Sequence, residues 1–200
     1  MKLITAGASP FARKVEVLIR ESGLDDLVER ITVATAPGAT DATLKSANPM
    51  GRLPALLRED GPALYDSPVI CRYLDAQANS GLYPDNDWDA LVLEATGDGM
   101  MDSAVLMTYE RRLRPEAQQS EEWIAAQWDK VSGAMAALEN MWMAHLKGKL
   151  TIGPIAVACA LGYVDFRHGD RAWRDDHPEL AEWYAAFCER PAMQATEPQG

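Results

Sequence analysis

Every strand-like segment of this chain falls within its first 65 residues, and everything after that reads as helix. Lys2 to Thr5 is a short buried strand. Ser9-Pro10 then opens a helix, with Ser9 as N-cap and Pro10 at the first helical position, where its missing N–H costs nothing. Val15, Leu18 and Ile19 recur at helical spacing, and Gly23 supplies the stop. Val28 to Val33 reads as a second strand, so the opening predicts a parallel βαβ unit. Pro37 to Ala47 has room for a short exposed helix. The turn cluster Asn48-Pro49-Met50-Gly51 leads into a strand at Leu53 to Leu57. Glu59-Asp60-Gly61 turns the chain, and Ala63 to Tyr65 returns as a short strand. Asp66-Ser67-Pro68 repeats the earlier cap chemistry before a helix expected to carry Val69, Ile70, Tyr73 and Leu74 on one face.

The composition shifts at about residues 81–86, where Tyr83-Pro84-Asp85-Asn86-Asp87 has linker character. The expected division is residues 1–80 for the mixed half and 87–200 for an all-helical half. Trp88 to Leu113 and Glu121 to Leu146 are long amphipathic helices parted by Arg114-Pro115. Ile155 to Phe166 is apolar nearly all round, the mark of a helix buried inside a bundle. Pro178 to Arg190 is a further amphipathic helix.

Charge and composition narrow the function classes. The formal net charge of -11 repels nucleic acid and anionic membrane surfaces alike. No apolar run reaches the ~18 residues a membrane span needs, and Met1-Lys2-Leu3-Ile4 runs straight into a strand with no leader pattern. The three cysteines, Cys71, Cys159 and Cys188, form no CxxC and make a poor disulfide framework, which points to a reducing, cytoplasmic setting. His145, His168 and His177 lack metal-ligand spacing, and no metal is assigned.

Three local motifs in this element order resemble the glutathione transferase family. They are Ser9-Pro10-Phe11-Ala12-Arg13-Lys14-Val15, Asn48-Pro49-Met50-Gly51-Arg52-Leu53-Pro54-Ala55-Leu56, and Leu64-Tyr65-Asp66-Ser67-Pro68-Val69-Ile70 leading into Tyr73-Leu74. A weaker fourth runs from His177-Pro178-Glu179-Leu180 through Arg190-Pro191. The set spans almost the whole chain, and the Ser-Pro-Phe opening looks most like the bacterial serine-type members. The resemblance implies an α/β thioredoxin-like N-terminal domain (βαβαββα) that holds glutathione, followed by an all-α C-terminal bundle that holds a second substrate. It also implies a homodimer, with glutathione as co-substrate and no further cofactor. One departure stands out. The family's buried helix begins with Ser or Thr and has Asp three residues on, a reciprocal capping box. Here Thr151 is followed at that place by Pro154, which cannot return the hydrogen bond, so a less tightly fixed helix start is expected.

Glutathione attacks as a thiolate, and a free thiol near pKa 8.5 is mostly protonated at neutral pH. A helix N-terminus and a hydroxyl donor both favour the anion, and Ser9 stands where both act. By resemblance Ser9 donates to the glutathione sulfur; from capping preferences alone it would be only an N-cap. The Leu53-Pro54 bond resembles the family's cis-proline turn, which presents the Leu53 N–H and C=O to the cysteinyl part of glutathione like an added strand. Ser67 and the helix start are implied to hold the γ-glutamyl carboxylate, with Asp66 facing the ammonium. Arg52 and Lys45 are alternatives for the glycyl carboxylate, and either could equally be a solvated charge. The resemblance implies that Phe11 belongs to the glutathione site, and it is expected to line the second-substrate pocket as well. Arg13, one turn into the first helix, is a candidate for facing the cleft and adding positive potential, although helical cations are more often surface groups. The second-substrate pocket is expected between the halves, near Met100, Met101, Val105 and Tyr109, although methionines also fill ordinary cores.

The expected activity is transfer of the glutathione thiol to a small hydrophobic electrophile. Two alternatives stay open at this point. One is a glutathione-dependent disulfide reductase or peroxidase, against which stands the lack of a cysteine near position 9. The other is a non-catalytic, partner-binding relative of the same fold.

Overall fold

The computed structural model describes all 200 residues. The chain forms two compact units: Met1–Asp85 together with Pro191–Gly200, and Asn86–Arg190.

The first unit is built on a three-stranded sheet ordered β2-β1-β3, with β1 Lys2–Thr5, β2 Glu29–Thr32 and β3 Ala55–Leu57. β1 pairs parallel to β2, with Thr5 opposite Thr32, and antiparallel to β3, with Ile4 opposite Ala55. The expected return strand at Ala63 to Tyr65 contracts to one bridge between Leu64 and Leu56. Arg58 folds over the intervening turn, its Nε donating to the Pro62 carbonyl at 3.0 Å. Helix α1 (Pro10–Glu21) joins β1 to β2 and buries Ala12, Val15, Leu18 and Ile19. After it, Gly23 takes φ +72°, the left-handed turn that glycine permits without a Cβ penalty. The short α2 (Ala42–Ala47) is capped by Asp41, whose carboxylate accepts from the Thr43 and Leu44 amides at 2.8 and 3.1 Å.

Helix α3 (Ser67–Ala78) packs against α1, but its buried face differs from the expected one. Ile70, Cys71 and Leu74 are buried, whereas Val69 is 47% exposed. Three- and four-residue spacing fits either choice, and the neighbouring sheet selects the set that includes Cys71. Asp75 fastens the end of α3, its carboxylate accepting from the Leu82 amide at 2.8 Å and the Tyr83 amide at 3.3 Å. The short α10 (Pro191–Gln194) packs on α1 and belongs to this unit.

The second unit is entirely helical. α4 (Trp88–Leu113) lies against α5 (Glu121–Ala137) and, more extensively, against α7 (Ile152–His168). A wider, π-type turn at Leu138–Trp142 links α5 to α6 (Met143–Leu146), so the expected helix from Glu121 to Leu146 is continuous with one irregular turn. α7 is buried on nearly every side from Ile152 to Val164. Its N-cap Thr151 makes no side-chain capping bond, and Pro154, at the third helical position, has neither an N–H to offer it nor an acid to return one. The helix start is instead placed by close packing. A Cβ on Gly153 would sit 2.6 Å from the Leu93 Cβ, and one on Gly97 would sit 2.6 Å from the Ala156 carbonyl carbon. Glycine therefore lets the α4 and α7 backbones approach where the cap is missing.

α8 (Trp173–Asp176) leads into α9 (Pro178–Cys188). A remote carboxylate caps α9: Glu139, in the π-type turn, accepts from the Glu179 amide at 2.7 Å and the Leu180 amide at 3.3 Å. The other Glu139 oxygen lies 3.3 Å from His177 Nδ1. No helix is long and apolar enough to cross a membrane.

Candidate functional site

Sheet register gathers the N-terminal candidates at one end of the sheet. β3 begins beside the C-terminal end of β1, so Leu53-Pro54 lies next to the Thr5–Ser9 turn. The antiparallel bridge between Leu56 and Leu64 brings the returning chain back the same way, towards the end at which β3 begins. The starts of α1 and α3 thus share the end at which β3 begins.

Ser9 is the N-cap of α1, with φ -86° and ψ 119°, and its Oγ accepts from the Ala12 amide at 3.3 Å. A serine hydroxyl has one donor and two acceptor positions. The cap uses an acceptor, which leaves the O–H proton free to point elsewhere. Capping and donation to a ligand are therefore compatible in one side chain. Phe11, two residues on, is half-buried in the first turn.

The Leu53-Pro54 peptide is cis, and so is Tyr65-Asp66. Asn48 shapes the turn ahead of Leu53: its amide donates to the Arg52 carbonyl at 2.8 Å, and its Oδ1 accepts from the Met50 amide at 3.0 Å. The Leu53 N–H and C=O enter no backbone hydrogen bond of the chain. They are a donor and an acceptor at the head of β3, arranged as an open place for an extended peptide.

At α3 the local chemistry departs from a plain helix cap. Asp66 occupies the N-cap position, yet its carboxylate makes no capping hydrogen bond, and the residue is exposed. Ser67, at the first helical position, is 2% exposed. Pro68 has no N–H, so the Ser67 and Val69 amides are the orphan donors of this first turn. A buried hydroxyl, two amide donors and an unengaged carboxylate together suit a group carrying both negative and positive charge. Arg52 and Lys45 are both exposed, and no ion pair holds either one.

Arg13 does not project towards the glutathione-binding candidates. Its Nη2 donates to the Met193 carbonyl at 3.2 Å and its Nε approaches Thr196 Oγ1 at 3.5 Å, both in the returning C-terminal segment. The expectation that it adds potential to the cleft is corrected accordingly. The packing of α10 on α1 draws the guanidinium in, and local helical spacing carries no sign of that long-range contact.

In the helical unit, Met100 and Met101 are 2% and 0% exposed and belong to its core. Val105 is half-buried and Tyr109 is 41% exposed. Of the four α4 residues expected near a second pocket, only Val105 and Tyr109 present surface. One turn of α4 away is a polar group that sequence reasoning did not single out. His168 Nε2 lies 2.9 Å from the Ala104 carbonyl and 3.2 Å from Thr108 Oγ1, and the Tyr163 hydroxyl donates to Thr108 Oγ1 at 3.2 Å. A carbonyl only accepts, so Nε2 carries a proton. Burial pushes the His168 pKa below its ordinary value, and burial raises that of Tyr163.

Comparisons with known proteins follow the same division. Residues 8–77 match the glutathione S-transferase N-terminal domain, and residues 121–186 match the glutathione S-transferase C-terminal domain. A GST-like protein of Escherichia coli K12, YibF, itself uncharacterised, is 31% identical over 205 residues, covering 99% of this chain and 98% of that protein. A crystal structure of a glutathione transferase family member from Pseudomonas fluorescens Pf-5 with bound glutathione superposes with a TM-score of 0.97 at 44% identity, covering 100% of this chain and 99% of that one. A glutathione S-transferase from Methylobacillus flagellatus KT with glutathione bound gives a TM-score of 0.85 at 32% identity, with 99% of each chain covered.

Proposed function

Because this chain belongs to the glutathione S-transferase family, we propose that it binds reduced glutathione on its N-terminal unit and transfers the thiol to a small hydrophobic electrophile. The observation that carries this reading is the set of unspent hydrogen-bonding groups at one end of the sheet. These are the Leu53 backbone pair, the Asp66 carboxylate and the Ser67 hydroxyl. Groups left open in this way fit the functional parts of the tripeptide.

In the proposed complex the cysteinyl backbone of glutathione pairs with Leu53 N–H and C=O. The γ-glutamyl carboxylate meets Ser67 and the α3 amides, and its ammonium meets Asp66. Arg52 or Lys45 serves the glycyl carboxylate. The sulfur then lies at the start of α1, where the Ser9 O–H donates to it and the positive end of the helix favours the thiolate. The thiolate attacks the electrophilic carbon, a carbon–sulfur bond forms, and the leaving group or the adjacent π bond takes the electron pair. Ser9 forms no covalent bond. Val105 and Tyr109 are the proposed contacts for the electrophile. The relative from Pseudomonas fluorescens Pf-5 also has a structure with bound S-(propanoic acid)-glutathione, at 42% identity, which supports thioether products for this type of site. The protein is further proposed to be a cytoplasmic homodimer acting in detoxification, with no cofactor beyond the co-substrate.

Isothermal titration with reduced glutathione near neutral pH tests the binding half of the proposal, and a chloronitroaromatic electrophile tests the transfer half. Binding without turnover of any electrophile, but with reduction of a mixed glutathione disulfide, would move the assignment to a reductase. Absence of binding at millimolar glutathione would move it to a partner-binding role. Light scattering checks the dimer, and a monomer at all concentrations would remove that part.

A further inference from the structure

On the β2 side of the same sheet end lies a cavity of about 380 Å³. Thr5, Arg13, Glu16, Arg20, Arg30 and Thr196 are among the residues that line it; Ser9, Leu53, Asp66 and Ser67 are not. Its size falls within the usual range for small-molecule sites, roughly 300–1,000 Å³.

The charges on its wall are unequally satisfied. Glu16 accepts from Arg20 at 2.8 Å and from Arg30 at 3.0 Å. Asp25 pairs with Arg30 and stands 3.7 Å from Arg20. Two arginines and two carboxylates therefore neutralise one another. Arg13 is left without an acid. It is 7% exposed, its partners are the neutral oxygens of Met193 and Thr196, and its Nη1 is buried with no partner at all. A guanidinium does not lose its proton at any ordinary pH, so its burial calls for a negative charge to replace lost hydration. The fork is held by only one good hydrogen bond and one long contact to Thr196, so it can turn to meet such a charge.

We infer that this cavity binds the carboxylate of a small organic acid through Arg13, at a place separate from the proposed glutathione site. A single charge is favoured over a phosphate dianion. Only one guanidinium is uncompensated, and the Glu197 carboxylate on the wall, which no ion pair neutralises, repels a second negative charge. A planar carboxylate also matches the geometry of the guanidinium edge.

Trifluoroacetate observed by fluorine NMR is a direct probe, in chloride buffer of fixed ionic strength with no other carboxylate. Saturable broadening that propionate reverses is expected for the wild type and for Ser67→Ala. Arg13→Gln should abolish it. Glu197→Gln, an exposed change that leaves the fold alone, should tighten binding at least threefold by removing a repelling charge, and this arm stands even if Arg13→Gln does not fold. Inorganic phosphate should compete at least tenfold more weakly than propionate. Several results would overturn the inference: no saturable binding in the wild type, binding that survives Arg13→Gln, binding lost in Ser67→Ala, or an unchanged affinity in Glu197→Gln. Equal competition by phosphate would overturn the carboxylate assignment.

Discussion

Ser9 Oγ accepts the Ala12 amide proton at 3.3 Å and so spends a lone pair, not its own proton, on capping α1. The two functions of Ser9 can therefore be separated by substitution. Asp caps a helix as well as Ser does, but an ionised carboxylate has no proton to donate and repels a thiolate. Ser9→Asp should keep the melting temperature within a few degrees of the wild type while turnover with the chloronitroaromatic falls. A hydrogen bond to a charged group is worth about 1.5–3 kcal/mol, so the loss should be roughly 10- to 150-fold. Ser9→Ala should lose both turnover and about 1 kcal/mol of stability. Unchanged turnover in Ser9→Asp would remove Ser9 from thiolate stabilisation.

Asp66 is an N-cap residue that does not cap. Its replacement should therefore cost little stability, in contrast to the roughly 0.5–2 kcal/mol typical of a capping aspartate. If its charge serves the γ-glutamyl ammonium, Asp66→Asn should weaken glutathione binding about tenfold or more, the range of a charge-assisted bond. Calorimetry of binding and thermal melts, run on the same preparation, give both quantities. A large loss of stability with unchanged affinity would make Asp66 a structural residue only.

These two positions also show how far the sequence could be read. The Ser-Pro openings of α1 and α3 are visible because capping and proline placement are local, and the order of elements along the chain follows from short apolar runs parted by turn residues. Whether a cap is made is not local: Ser9 makes its bond and Asp66 does not, although both precede Pro within two residues. The capping of α9 by Glu139 and the seating of Arg13 against Met193 join residues 40 and 180 positions apart. No periodicity encodes such pairs. The buried face of α3 was misjudged at Val69 for a related reason, since helical spacing gives the stripe but only the neighbouring sheet decides its centre.

Gly97 and Gly99 sit two residues apart on α4 and should respond in opposite directions to the same change. A Cβ on Gly97 would stand 2.6 Å from the Ala156 carbonyl carbon and 2.8 Å from the Val157 amide nitrogen, whereas one on Gly99 would meet nothing within 4 Å. Backbone cannot move aside as a flexible side chain can. Gly97→Ala should destabilise the protein by about 1–3 kcal/mol or more. Gly99→Ala should stabilise it by about 0.5–1 kcal/mol, through reduced freedom of the unfolded chain and better helix propensity. Thermal melts of the two variants check the pair. Equal effects would mean that the α4–α7 approach is looser than described.

His168 gives the helical unit a defined response to acid. Its Nε2–H donates to the Ala104 carbonyl, and burial holds its pKa below the ordinary value of 6.5. The hydrogen bond to the Ala104 carbonyl and the Asp170 carboxylate act the other way, while Arg171 and Arg167 reinforce the depression. Between the folded and unfolded pKa values, the unfolded chain binds the proton more readily than the native one. Stability from this group is therefore complete above the unfolded value and is lost as pH falls below about 6.5 towards the folded pKa. Gln can place an amide donor near Nε2 without titrating. His168→Gln should show a flatter fall in urea-derived stability between pH ~7 and ~5 than the wild type, even if it is less stable at neutral pH. Parallel slopes for the two proteins across that window would show that His168 does not change protonation on unfolding.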